Sequence, residues 1–162
     1  MEKVLLVIYL VVRYQILLAN TAYIGIDRIK RFISEFRDIS SHQLVSERVI
    51  NSMTDEYLKN GIIVIVAQGM SRKDIGVLEK IASAHKASFF VYRLEADEET
   101  LAARVQERTL KLNKPAISQE DLDKKAKIFK ENDYPSTRVL DLGKVDIRKN
   151  ADIILRDLGA LV

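Results

Sequence analysis

Asn60-Gly61-Ile62-Ile63-Val64-Ile65-Val66 is the stretch whose reading decides the fold class. Asn-Gly is a helix stop, because glycine takes the left-handed conformation that ends a helix. The β-branched run behind it shows no polar alternation. It predicts a strand covered on both faces, as in a parallel sheet. Upstream, Ser40 or Ser41 starts a helix that runs to Lys59, with Leu44, Val49, Met53 and Tyr57 near helical spacing. Downstream, Ser71-x-x-Asp74 resembles a capping box, with Asp in place of Glu. It precedes a regular apolar face of Val77, Leu78, Ile81 and Ala82.

The same alternation extends both ways. Strands are expected at residues 4–12, 22–26, 87–94 and 138–142, each rich in Val, Ile, Leu, Phe or Tyr. Asp27 is expected to cap a helix reaching about Arg37. Asp97 opens an acidic first turn before Leu101 and Val105, which suits the helix dipole. Ser118-x-x-Asp121 opens a charged helix carrying Leu122, Ile128 and Phe129. Ile147, Ala151, Ile154, Leu155 and Leu158 form a C-terminal amphipathic helix. Residues 109–117 read as a loop. Strands alternating with helices imply parallel pairing and right-handed crossovers. The expectation is one α/β domain over residues 1–162, three-layered (α/β/α), with a five-stranded parallel sheet.

Composition narrows the function classes. The chain has 162 residues, 48% hydrophobic and 30% charged, with two prolines and six glycines. Those are the proportions of one globular domain rather than of a linker or low-complexity segment. Without cysteine there is no disulfide, thiolate metal site or thiol catalysis. Two histidines alone argue against zinc, so no metal site is assigned. The net charge of +3 permits a polyanionic partner without demanding one. Residues 4–12 are too short an apolar run to span a bilayer, and Arg13 and Gln15 interrupt its extension. They read as a buried strand rather than a signal sequence. A cytoplasmic location and no membrane partner are expected.

Two constellations bear on chemistry. In Ile24-Gly25-Ile26-Asp27-Arg28-Ile29-Lys30-Arg31, a strand ends at a carboxylate and three cations follow within a turn. Open α/β sheets bind ligands at the C-terminal ends of their strands. A carboxylate there can take a proton from an attacking hydroxyl, and the cations Arg28, Lys30 and Arg31 can hold an anionic substrate. The alternative is a capping aspartate before a solvated basic turn. In the second, Arg104 and Arg108 share a helix face at i, i+4 spacing, just before residues 109–117. Paired guanidiniums beside a lid-like loop could clamp phosphates. The alternative is a surface helix in which acidic neighbours neutralise them.

The order of these pieces resembles the small P-loop kinases of the polynucleotide kinase and zeta-toxin-like group, from about Ala22 to the C-terminus. The resemblance implies that Asp27 is the general base and that Lys30 binds substrate phosphate, where arginine is usual. Arg72 matches an arginine that follows the third strand. Arg104 and Arg108 match two lid arginines of the form Leu-x-x-Arg-x-x-x-Arg. The chain departs sharply from the group after the first strand. There the family carries GxxxxGK[ST], whose amides, lysine and hydroxyl hold the phosphates and Mg²⁺. Here no Gly-Lys-Ser/Thr occurs anywhere, and Gly143-Lys144 is followed by Val145. Gln68 stands where many relatives place a metal-supporting acid, and it offers Mg²⁺ no full negative charge.

These features lead to a degenerate kinase-like protein that binds a nucleotide or phosphorylated small molecule. A second expectation is an active phosphotransferase with a divergent donor site, using ATP and Mg²⁺ on a hydroxyl acceptor. A third is an interaction protein that forms a homo-oligomer through the apolar residues 9–18. A basic strip of Arg28, Lys30, Arg31 and Arg37, with Arg104, Arg108, Lys111 and Lys114, would also suit nucleic acid, although no interleaved aromatics are evident.

Overall fold

The computed structural model describes residues 4–8, 20–35, 40–97, 99, 100, 103, 106, 107, 110, 120, 134–141 and 147–157. Five strands are present: β1 (Val4–Ile8), β2 (Thr21–Gly25), β3 (Ile63–Ala67), β4 (Ser88–Glu95) and β5 (Arg138–Asp141). The helices whose bounds fall among the described residues are α1 (Ile26–Lys30), α2 (Ser40–Lys59), α3 (Arg72–Ala84) and α4 (Ile147–Asp157). The chain divides into two compact units. One is Met1–Arg93 with Tyr134–Arg138, and the other is Leu94–Asp133 with Val139–Val162.

In the first unit the strands are ordered β2-β3-β1-β4. β2 pairs with β3, β3 with β1, and β1 with β4, all in parallel. The fold is therefore mixed α/β with parallel strands. β3 lies between two neighbours, and Val64, Ile65, Val66 and Ala67 are buried in succession. That is the consequence read from its unbroken β-branched run.

The turn into β3 is tied at both ends. Gly61 has φ +72°, the left-handed value that the Asn60-Gly61 pair implies. Its amide donates to the Leu58 carbonyl at 3.1 Å, and the Ile62 amide donates to the Tyr57 carbonyl at 3.0 Å. This is a Schellman end to α2. Asn20 then fastens the start of β2 to the same turn. Its Nδ2 donates to the Gly61 carbonyl at 3.1 Å, and its own carbonyl accepts from the Ile63 amide at 3.0 Å.

At the other end of β3 the capping box forms as read. Ser71 is the N-cap of α3, its hydroxyl accepts from the Asp74 amide, and the Asp74 carboxylate accepts from the Ser71 amide at 3.0 Å. Ile75, Leu78 and Ala82 are buried along α3, while Val77 and Ile81 are half-buried. α3 ends in a second Schellman motif that no glycine announces. Lys86 takes φ +55°, its amide donates to the Ser83 carbonyl at 3.0 Å, and the Ala87 amide donates to the Ala82 carbonyl at 2.9 Å.

Several expectations need correction. The core stripe of α2 is not Leu44, Val49, Met53 and Tyr57. Ser46, Ile50, Thr54 and Leu58 are fully buried, whereas Leu44 and Val49 are exposed. Two of the four inward positions carry hydroxyls, which hid the stripe from a hydrophobicity reading. Ser46 remains compatible with burial because its Oγ donates to the His42 carbonyl one turn back, at 2.9 Å. Asp27 is not the N-cap of α1. Gly25 is, without a side-chain cap, and α1 ends at Lys30 rather than near Arg37. Beyond it, Arg31, Phe32 and Ile33 donate to the carbonyls of Arg28, Ile29 and Lys30, a tightening of the last turn.

In the second unit, the Asp97 Oδ1 accepts from the Thr100 amide at 2.7 Å, so the acidic turn does cap a helix start. Leu110 is helical and exposed, which corrects the loop reading at that residue. The rest of residues 109–117, the strand extension at 9–12 and the interface expected at 9–18 lie outside the described residues. In α4, Ile154 is buried as expected. Asn150, not singled out from sequence, is buried too, and its Nδ2 donates to the Asp141 carbonyl at 2.8 Å, tying the helix to the end of β5.

Candidate functional site

Gly25, Ala67 and Ile8 are register partners in turn, and Ile8 pairs with Tyr92. Three parallel strands, β2, β3 and β1, thus end at one level, and β4 runs on past it to Glu95. In an open parallel sheet this edge is where ligands sit, most of all where the chain changes direction across the sheet. Here the change falls at β1, which has β3 on one side and β4 on the other. The residues that follow Ile8 lie outside the described part. Immediately past the edge on β2 and β3 come Ile26-Asp27 and Gln68.

Asp27 is exposed in the first turn of α1. Arg28 is exposed too, and its guanidinium carbon lies 5.6 Å from the centroid of the Tyr23 ring. That is within cation–π range. Tyr23 is exposed along one side, and the burial of the rest raises its hydroxyl pKa. The charge of Arg28 opposes that rise and the charge of Asp27 adds to it. Tyr23 also lies along its own strand over Gly25, where an added Cβ would stand 3.4 Å from the Tyr23 Cε1. Tyr23, Asp27 and Arg28 therefore share one electrostatic neighbourhood at the end of the edge strand.

Lys30 has a different setting. It is half-buried and acts on Glu47 of α2. Burial pushes the Glu47 carboxyl up, the nearby Asp74 carboxylate adds to this, and Lys73 and Lys30 pull it back. Helix α2 touches both α1 and α3, which brings these four charges together. Arg31 is exposed on the turn after α1. The three cations of the basic turn thus do not act as one cluster: Arg28 belongs with Tyr23, and Lys30 with Glu47.

Arg72 is exposed at the first position of α3. One neighbour in its field is Tyr134. The Tyr134 hydroxyl donates to the Glu79 carboxylate at 2.5 Å. That bond first, then burial and the Glu79 charge, push its pKa up to about 12, with Arg72 pulling against them. Gln68 is buried, and its Oε1 has no hydrogen-bond partner among the described residues. A neutral amide thus ends β3 where a carboxylate would support Mg²⁺, so the described residues at this edge do not fit a tightly held metal. No group of three His, Asp or Glu side chains among the described residues could hold one. Arg104 and Arg108 lie outside the described residues.

Tyr23, Glu47, Glu79 and Tyr134 were not singled out from sequence. Their roles come from neighbours distant along the chain, and only the aromatic at Tyr23, two residues before a strand-ending glycine, leaves a local trace.

Comparison with solved structures gives the fold class. The chain superposes on a protein of Chloroflexus aurantiacus provisionally described as a kinase, with TM-score 0.68 and 12% identity, covering 99% of this chain and 98% of that one. It superposes on the tunicamycin resistance protein of Deinococcus radiodurans with TM-score 0.63 and 12% identity, covering 98% and 96%. A sugar kinase from Janibacter gives TM-score 0.63 and 13% identity, covering 99% and 95%. The fold is kinase-like. No family model matches the sequence, and no curated protein does. No helix among the described residues is long and apolar enough to cross a membrane.

Proposed function

We propose that this protein is a degenerate P-loop kinase-like protein that binds the phosphate of a nucleotide or phosphorylated ligand at the C-terminal edge of its sheet. The observation that carries the reading is the register Gly25–Ala67–Ile8, which sets Asp27 and its cations at the ligand edge of a parallel sheet. On this reading Arg28, Lys30, Arg31 and Arg72 attract the phosphate, and Arg104 and Arg108 keep the phosphate-binding role that the resemblance implies for them. The chain is taken as one kinase-like domain, three-layered, with β5 parallel to β4. Ordinary ATP-dependent phosphotransfer is left out, because phosphoryl transfer depends on positioning and charge neutralisation by the loop that the sequence lacks. A general base, worth about 10²–10⁴-fold, does not replace that loop. Calorimetric titration with ATP, with and without Mg²⁺, tests the reading. Heat of binding is expected, and none at millimolar nucleotide would sink it.

One observation favours a second reading, an active phosphotransferase with a divergent donor site: Asp27 is exposed and beside a cation, as a base for an acceptor hydroxyl should be. Transfer of labelled γ-phosphate to nucleosides, 5′-hydroxyl oligonucleotides or sugars would reveal it. Asp27→Asn should then lower the rate about 10²–10⁴-fold. An unchanged rate removes Asp27 from the chemistry.

A further inference from the structure

The β2–α1 turn carries more than charge. Arg28 lies over Tyr23, and among the described residues no carboxylate forms an ion pair with it. One turn further on, Phe32 is 84% exposed, the most exposed large apolar side chain among the described residues. Its amide donates to the Ile29 carbonyl at 3.0 Å, so the backbone holds it in the turn that continues α1. Arg31, also exposed, sits beside it. Aromatic, guanidinium and aromatic therefore follow one another from the end of an edge strand, with a second guanidinium alongside. A guanidinium is planar, weakly hydrated and able to stack while its edge donates hydrogen bonds. A phosphorylated sugar offers phosphate to such a surface but no flat π face. A nucleobase offers both the face and, through its ribose, the phosphate.

We propose that the ligand of this turn carries a nucleobase, stacked against Arg28 and Phe32 while Arg31 takes its phosphate. The inference rests on the phosphate-binding reading above and goes further by naming the ligand class. The shared chemistry, base plus phosphate, belongs both to a free mononucleotide and to the end of a single strand.

Calorimetry on the full chain with adenosine 5′-monophosphate and ribose 5-phosphate separates the two claims. The base should make the nucleotide bind about 5- to 150-fold more tightly than the sugar phosphate. Phe32→Ala, at an exposed position that cannot unsettle the core, should bring that ratio toward one. Arg28→Lys, which keeps the charge and loses the flat face, should reduce it as well. A short oligothymidylate binding more tightly than the mononucleotide would identify the source as a strand, and weaker binding would identify the free nucleotide. Equal affinity for nucleotide and sugar phosphate would overturn the base-stacking inference and leave phosphate binding standing. A ratio that survives Phe32→Ala would overturn it too. No binding of either ligand at millimolar concentration would overturn both readings.

Discussion

Thr54→Val should make the protein more stable, and the reason lies in the buried edge of α2. Thr54 is fully buried between Ile50 and Leu58 on the same helix edge, and its Oγ1 has no hydrogen-bond partner among the described residues. An unsatisfied buried polar group costs about 1–3 kcal/mol. Valine replaces that hydroxyl with a methyl of similar size, and threonine and valine have nearly the same helix propensity. The net expectation is about 1–3 kcal/mol of added stability. For a chain of this length that raises Tm by about 2–4 °C per kcal/mol. Urea unfolding followed by circular dichroism at 222 nm checks it, with the midpoint moving up and m unchanged. Ser46 supplies the internal control. It is equally buried, yet its hydroxyl donates to the His42 carbonyl, so Ser46→Ala removes a bond that is made. That change should lower stability by about 0.5–1.5 kcal/mol. The two substitutions should move the midpoint in opposite directions. A lowered midpoint for Thr54→Val would mean that the Thr54 hydroxyl has a partner, and the argument from its orphaned oxygen would be wrong.

Three further outcomes are expected. Tyr134 should titrate near pH 12 in ultraviolet absorbance at 295 nm, and Tyr134→Phe should remove that late transition. Because its pKa is raised above the ordinary 10.0, the stability it contributes is complete below pH 10 and is lost as pH rises through about 12. A spectrum in which no tyrosine titrates that late would dismiss the Glu79 bond. Ser71→Ala should cost about 0.5–2 kcal/mol in the same urea assay by opening the capping box of α3, whereas an unchanged midpoint would mean that water caps the helix equally well. Lys86→Gly should add up to about 1–2 kcal/mol, since Lys86 takes a left-handed conformation that glycine adopts freely; a loss of stability would show that the lysine stem packs usefully there.

What was legible in the sequence was whatever a few neighbouring residues decide together. The run 62–66, the Asn60-Gly61 stop and the Ser71–Asp74 box are patterns of that kind, and all three formed. The inward edge of α2 was not legible, because Ser46 satisfies its hydroxyl within the helix and Thr54 finds no partner for its own among the described residues. Composition cannot tell either from a surface position. The end of α3 was missed for the opposite reason: the left-handed residue is a lysine, so the geometry was there without its usual marker. The candidate site divides along the same line. That Asp27 falls at the sheet edge followed from a strand read over residues 22–26, and the register of Gly25 with Ala67 gives that position its meaning. How the cations divide did not follow. Arg28 turns to a ring five residues back on the strand, and Lys30 acts on a carboxylate of another helix, seventeen positions on. Spacing alone makes Asp27-Arg28-Ile29-Lys30-Arg31 look like one basic cluster. The fold separates it into an aromatic-backed guanidinium, a half-buried lysine among carboxylates and a free-standing arginine. On the base-stacking proposal, that separation is what would let the turn tell a base-bearing phosphate from a bare one.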